Sequence, residues 1–242
     1  FIDRVNAGNP TAGLGAIRAT NPCGEQPLHD YESCNLGSVN LANFHDPSPK
    51  AKDRFDWARF REVVRLGVRF LDDVIDVNRY PLPQIDKTTR AARRIGLGVM
   101  GWADLLLLMK VRYDSPKALA LADKVAAFLR AEATAASRDL AAERGSFPAI
   151  DRSVYKGGKM RNATVFTIAP TGTISRIAGC SSSIEPVFAF EVTSKIIDSE
   201  LKDVHPIYAE WLEKNPGQPL PDYFKAAHEI ARKRGLATPP QQ

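Results

Sequence analysis

From Phe55 to Val77 apolar residues recur at helical spacing, at Phe60, Val64, Leu71 and Val74, with charged residues between them. That pattern predicts an amphipathic helix. "YPLPQ" at 80–84 ends it, because Pro81 and Pro83 lack the N–H that a helix interior needs. The run "IGLGVMGWADLLLLM" at 95–109 is apolar almost throughout and predicts a second, buried helix. Its Gly96, Gly98 and Gly101 weaken a helix relative to alanine, so they permit close packing or lie at its entry. Residues 114–145 give the clearest helix, with Ser115 as N-cap, Pro116 at the first helical position, Gly145 as C-terminal cap and many alanines that allow a neighbour to approach. "NATVFTIAP" at 162–170 is β-branched and aromatic and predicts a buried strand. Two more helices are expected near 205–214 and 221–234, loops and short strands over 1–50, and a frayed, disordered tail at 237–242.

Long helices with few apolar strands suggest an α/β architecture with a parallel sheet. Helices outnumber the strands they could cover, so part of the sheet is expected to be missing. The 242 residues, 44% hydrophobic and 25% charged, suffice for one large domain or two small ones. The chain opens on Phe1 rather than Met, which suggests a fragment or a processed product, and no charged-then-apolar leader supports secretion.

Charge and apolar length change the picture little. The longest apolar run contains Asp104 and is too short to span a bilayer, so no membrane association is expected. The net charge of +5 comes partly from "RAARR" (90–94) and "ARKRG" (231–235), without an aromatic-rich nucleic-acid motif. These clusters read as solvated helix faces and not as a nucleic-acid surface, although an anionic ligand such as a nucleotide diphosphate also fits. Three cysteines cannot build a secreted disulfide framework, which points to a reducing, cytoplasmic setting.

Two of those cysteines, Cys23 and Cys34, lie in "TNPCGEQPLHDYESCNLGS" at 20–38. Asn21, Cys23 and Glu25 alternate, so in an extended segment all three would point the same way. Pro22 holds Asn21 extended and Gly24 lets the chain turn around the cysteine. A thiol beside a carboxylate is not an activated thiolate, since the negative charge opposes ionisation. The arrangement suits a cysteine that works as S–H or as a sulfur radical, with the carboxylate moving a proton on a substrate. Three plainer readings stand beside it. The cysteines could be small buried hydrophobes. Cys23, His29, Cys34 and His45 could bind zinc, although their spacings match no short paired-ligand pattern. The pair could also form a disulfide, which a reducing compartment opposes.

Five ordered segments carry a family resemblance: "FIDRVN" (1–6), "NPCGEQPL" with "YESCNLGSVNLANF" (21–44), "RRIGLGVMGWADLL" (93–106), "TIAPTGTIS" (167–175) and "GCSSSIEPVFAFEV" (179–192). Together they resemble ribonucleotide reductase large chains from Phe1 to about Ile230, most closely the adenosylcobalamin-dependent class II enzymes. The resemblance implies part of a ten-stranded α/β barrel with a catalytic finger loop. Residues 1–236 would be a C-terminal portion of that catalytic domain.

By motif position, Cys23 matches the cysteine that becomes a thiyl radical and removes the 3′ hydrogen of the ribose. Glu25 matches the carboxylate that takes the 3′-hydroxyl proton, and Asn21 the amide that hydrogen-bonds the substrate. Cys34 matches one of two cysteines that reduce the 2′ position and become a disulfide. Pro170, Thr171, Gly172, Thr173 and Ser175 match the segment that holds the substrate diphosphate. In isolation "APTGTIS" reads as a plain turn rather than as an anion site. Adenosylcobalamin is the implied cofactor, a ribonucleotide the substrate and a thioredoxin-like or dithiol reductant the electron source, with a possible homodimer in the full-length protein. No metal ligand set is expected, Cys180 reads as structural, and the four histidines, His29, His45, His205 and His228, read as ordinary hydrogen-bonding groups. "GLGVMG" (96–101) lacks the glycine spacing of a dinucleotide fingerprint. The partner of Cys34 is expected upstream of Phe1, so the chain by itself is expected not to turn over. A class I large subunit with a small-subunit radical, and a non-catalytic remnant that binds nucleotide phosphates, are the alternatives.

Overall fold

The computed structural model describes residues 1–48, 53–196 and 199–225. Its residues group into two compact units, the first made of Phe1–Val39, Trp57–Val99 and Val125–Thr171. The second comprises Asn40–Asp56, Met100–Lys124 and the chain from Gly172 onward. In chain order the elements are α1 (Ile2–Ala7), β1 (Ala19–Thr20), β2 (Pro27–Leu28), β3 (Asn35–Asn40), α2 (Trp57–Val77), α3 (Pro83–Ala92), β4 (Ile95–Met100), α4 (Trp102–Leu108) and α5 (Pro116–Arg144). After them come α6 (Gly172–Ile177), β5 (Glu191–Ile196), β6 (Ser199–Val204) and α7 (Pro206–Lys214).

In the first unit α2 buries Phe60, Val64, Val68, Leu71, Asp72 and Ile75, one face of a 3.6-residue period. Val74, expected on that face, is only half-buried, and Ile75 takes the core position. The tightly packed stretch of α5 presents Ala133, Ala136, Ser137, Leu140 and Ala141 as its buried side. Above this seam Arg61 and Arg65 bond Glu132 at 2.8 and 2.9 Å, and Arg69 bonds Glu143 at 2.5 Å. Solvent screens such pairs, so they orient the two helices more than they hold them. The expected cap is present: Ala118 N–H donates to Ser115 Oγ at 3.1 Å, and Gly145 closes the helix at φ 84°.

One carboxylate ties three segments of this unit together. Asp72 is fully buried and accepts from Arg93 Nε and Arg161 Nε at 3.0 Å and from Asn162 Nδ2 at 2.9 Å. Arg93 sits in the left-handed region at φ 49°, ending α3 and turning the chain into β4.

The break at 80–84 is present and one further expectation fails here. Pro83 does not merely break a helix; it begins α3, where a missing N–H costs nothing. The apolar run 95–109 is not one helix. Ile95–Met100 is a fully buried strand, Gly101 turns at φ 71°, and only Trp102–Leu108 is helical. β4 pairs with β3, and on its other side Leu97 bridges Phe166 in parallel, with Leu97 N–H to Val165 O at 2.9 Å and Thr167 N–H to Leu97 O at 3.2 Å. The stretch expected as a buried strand, 162–170, thus meets β4 through an isolated bridge only, and from 165 to 169 it is buried on alternate residues: Val165, Thr167 and Ala169 are buried while Phe166 and Ile168 are exposed.

In the second unit Ala103, Leu107, Val187 and Phe224 form a core. Phe190, Tyr208 and Trp211 close around Phe224, with ring centroids 5.3, 6.0 and 5.7 Å from it. α7 lies where a helix was expected. β5 and β6 form an antiparallel hairpin, Glu191 opposite Val204, that the sequence reading did not foresee. The expected helix 221–234 is described only as far as residue 225, and the tail 237–242 lies outside the described residues. The fold is mixed helix and sheet. Among the described residues the strands pair two by two, β1 with β2 and β5 with β6 antiparallel, and close no barrel.

Candidate active site

β1 and β2 form the stem of a short hairpin, Ala19 opposite Leu28 and Thr20 opposite Pro27. Its tip is the "NPCGEQ" segment. Asn21 N–H donates to Gln26 O at 3.1 Å, and Gly24 N–H donates to Asn21 O at 3.0 Å, closing a four-residue turn. Asparagine, proline and glycine at its first, second and fourth positions are the residues such a turn favours. The expected extended, same-facing array of Asn21, Cys23 and Glu25 is thus corrected to a turn. Asn21 also accepts the Gln26 N–H on Oδ1 at 2.9 Å, so its Oδ1 is committed inside the loop and a ligand is left the Nδ2 side.

Cys23 is exposed at the crest, and a Cβ on Gly24 (φ 88°) would meet nothing within 4 Å. The reading of Cys23 as a small buried hydrophobe does not hold. Glu25 is half-buried, and its Oε2 is shielded from solvent with no hydrogen-bond partner among the described residues. The loop rests on β4: Gln26 is buried, and a Cβ on Gly96 would come within 2.5 Å of its Nε2. Thr167 Oγ1 donates to Glu25 O at 3.0 Å and fixes the chain beside the carboxylate. Sequence reasoning missed Gln26, Thr167 and Gly96 as supports, although all three lie inside the motifs it quoted.

Cys34 is half-buried just before β3. Burial above all, then the negative charges of Glu25 and Glu32, push its thiol up to about 11, against a smaller opposing effect of Arg94. Arg94 is itself buried and pairs with Glu32 Oε1 at 2.7 Å, and its Nη2 reaches Thr11 Oγ1 at 2.5 Å. Cys34 is therefore a protonated thiol at neutral pH, able to give hydrogen rather than act as a thiolate. Because the folded value lies above the ordinary thiol value of 9.0, deprotonation opposes folding, and stability falls as pH rises from about 9 toward 11. In the reduced full-length protein, iodoacetamide at neutral pH is expected to modify Cys23 first and spare Cys34, whose rate climbs toward pH 11. Peptide mapping by mass spectrometry reads this directly, and equal rates at pH 7 would contradict it.

Cys23, Cys34 and Cys180 are all free thiols. No group of three or more His, Cys, Asp or Glu among the described residues could hold a metal ion. His29 Nε2 is bonded to Thr11 Oγ1 at 3.0 Å, His45 to Arg54 at 3.4 Å and His205 to Asp104 at 3.0 Å; His228 lies outside the described residues. No described helix is long and apolar enough to cross a membrane.

The "APTGTIS" segment divides between the units. Pro170 and Thr171 end the first, with Pro170 exposed and Thr171 buried at φ 57°. Gly172 and Thr173 open α6 in the second and are exposed. Ser175 is buried, and its hydroxyl is already within 3.3 Å of Gly172 O and 2.9 Å of Ser182 Oγ.

The family model of the ribonucleotide reductase barrel domain matches residues 1–160 and 155–220. The chain belongs to the ribonucleotide reductase barrel-domain family. It is 51% identical over 213 residues to the vitamin B12-dependent ribonucleoside-diphosphate reductase of Thermoplasma acidophilum, covering 87% of this chain and 27% of that protein. It is also 51% identical to the Mycobacterium tuberculosis protein of the same name, over 86% of this chain and 30% of the relative. The Chlamydia pneumoniae ribonucleoside-diphosphate reductase subunit alpha is 31% identical, over 78% of this chain and 22% of that protein. In fold the chain resembles the class Id ribonucleotide reductase alpha subunit of Actinobacillus ureae, with a TM-score of 0.71 at 24% identity, covering 94% of this chain and 45% of that one. The chain thus spans under a third of the length of the curated relatives it matches.

Proposed function

We propose that the full-length protein reduces ribonucleotides to deoxyribonucleotides by radical chemistry at Cys23. The observation that carries this reading is Glu25 Oε2, a carboxylate oxygen shielded from water, without a partner among the described residues, on the same turn as an exposed thiol. Leaving such an oxygen unbonded is costly unless a ligand completes it. A ribose hydroxyl is a fitting donor. The Cys23 sulfur, as a thiyl radical, takes the 3′ hydrogen atom and later returns it, while Glu25 accepts the 3′-hydroxyl proton. The free Nδ2 side of Asn21 donates to the bound sugar. Cys34 and a second cysteine upstream of Phe1 give two hydrogens: the 2′ C–O bond breaks, water leaves, a C–H bond forms, and the two thiols become a disulfide. A thioredoxin-like protein or small dithiol then restores them.

The exposed residues Pro170, Gly172 and Thr173 are the parts of the second motif that hold the substrate diphosphate, with Thr171 and Ser175 supporting them. Adenosylcobalamin fits as cofactor in one respect the residues themselves present. Cys23 is exposed, as are Pro22 and Gly24 on either side of it, so the crest of the turn is open to a bulky group. When bound, that cofactor supplies the radical equivalent that the Cys23 sulfur receives. The 51% identity to vitamin B12-dependent relatives supports it over a small-subunit radical, for which the 31% identity to an alpha subunit is the weaker argument. The proposal includes a ten-stranded barrel completed by residues beyond this chain, with residues 1–236 as a C-terminal portion of it, in a homodimeric, cytoplasmic full-length protein. The test is turnover: full-length protein given a ribonucleoside diphosphate, adenosylcobalamin and a dithiol is expected to form deoxyribonucleotide. A strict requirement for a separate radical-bearing subunit would overturn the cofactor assignment.

A further inference from the structure

The triple serine 181–183 was part of the resemblance but has no role in the chemistry above. In the second unit it is gripped by the start of α4. Gly101 N–H donates to Ser181 O at 2.8 Å and Trp102 N–H to Ser183 O at 3.4 Å. Asp104 engages Ser181 twice: its N–H donates to Ser181 Oγ at 3.3 Å, and its Oδ2 accepts the Ser181 N–H at 2.8 Å. The other oxygen, Oδ1, lies 3.0 Å from His205 Nε2. Asp104 is 2% exposed, and these donors offset the desolvation of its carboxylate.

A carboxylate can only accept, so His205 must carry its hydrogen on Nε2. Its Nδ1 is shielded, with no partner among the described residues. His205 is fixed from both sides, by its N–H to Phe190 O at 2.8 Å and by the Phe190 ring edge-on at 5.6 Å. From Ser181 the chain of contacts continues toward the phosphate motif. Ser182 Oγ meets Ser175 Oγ at 2.9 Å, Cys180 N–H donates to Ser175 O at 2.9 Å, and Ser175 Oγ donates to Gly172 O at 3.3 Å.

We propose that Asp104 is a positioning residue for substrate phosphate binding. Oriented by His205, it locks Ser181–Ser183, and Ser182 in turn locks Ser175 and so the exposed start of α6 at Gly172 and Thr173. This inference rests on the assignment of that motif to the substrate diphosphate. It turns Ser175 from a phosphate ligand into the last link of a buried clamp. A core residue with a merely structural part would lower the melting temperature without separating phosphate binding from turnover.

The test uses full-length protein and three variants, with KM and kcat for a ribonucleoside diphosphate and binding of the nucleoside without phosphates as readouts. Asp104→Asn is expected to raise KM roughly tenfold, the order of one lost charge-assisted hydrogen bond, with kcat and nucleoside binding little changed. Ser182→Ala, which removes only the link to Ser175, is expected to raise KM in the same way by a smaller factor. Thr173→Glu sets a like charge at the exposed position and checks the underlying assignment. Unchanged KM in Thr173→Glu would defeat that assignment. Raised KM in Thr173→Glu with unchanged KM in Asp104→Asn and Ser182→Ala would defeat the clamp alone. Should Asp104→Asn fail to fold, Ser182→Ala decides, and an unchanged KM there overturns the inference.

Discussion

Replacing Cys23 by alanine in the full-length protein is expected to abolish deoxyribonucleotide formation while ribonucleotide binding is largely kept. The side chain stands exposed on the crest of the hairpin turn, and the hydrogen bonds that shape the turn run through Asn21, Gly24 and Gln26. Alanine therefore removes the sulfur without removing any of those bonds. A large loss of stability is not expected either, because an exposed thiol gives up little apolar burial on truncation. Product formation and equilibrium nucleotide binding, measured on the same preparation, separate the two effects. Retained turnover would end the assignment of the sulfur as the radical carrier.

Glu25→Gln is the second large effect. Glutamine has the shape of glutamate but cannot take up the 3′-hydroxyl proton, so kcat is expected to fall by about 10²–10⁴. The backbone of residue 25 stays tied to Thr167 through its carbonyl. A second readout comes from Cys34. Glu25 is the larger of the two charges that raise its thiol toward about 11, behind burial itself. Neutralising it is expected to move the pH midpoint of Cys34 alkylation downward. Full activity in Glu25→Gln would remove the general base. An unmoved alkylation midpoint would show that the two groups do not sense one another.

Chemistry was more legible in the sequence than local structure. Residue types and order within "NPCGE" conveyed the turn-forming asparagine, proline and glycine, and the thiol and acid beside them. The alternation argument failed there because a turn, not a strand, organises those five residues. The helices α2 and α5 were readable because each combines a clear apolar period with recognisable ends. β4 was not, since six wholly buried residues run straight into α4 and a continuous apolar run has no period to distinguish the two. What decides it lies elsewhere in the chain: Arg93 in a left-handed conformation before it, and the backbone of Thr164–Thr167 beside it. The hairpin β5–β6 was missed because its strands mix charged residues among the β-branched ones and show no clean alternation. Asp104 and His205 are a hundred residues apart, and nothing local in either stretch announces that they meet.

Gly96 is the floor on which Gln26 lies. It also limits how the protein can be re-engineered. A finger transplanted from a distant relative would have to bring its own underlying strand, or at least a matching bare position, because even a methyl group there collides with the amide that anchors the graft. Loop and strand are a single exchangeable part, and libraries that vary one while freezing the other will sample mostly misfits.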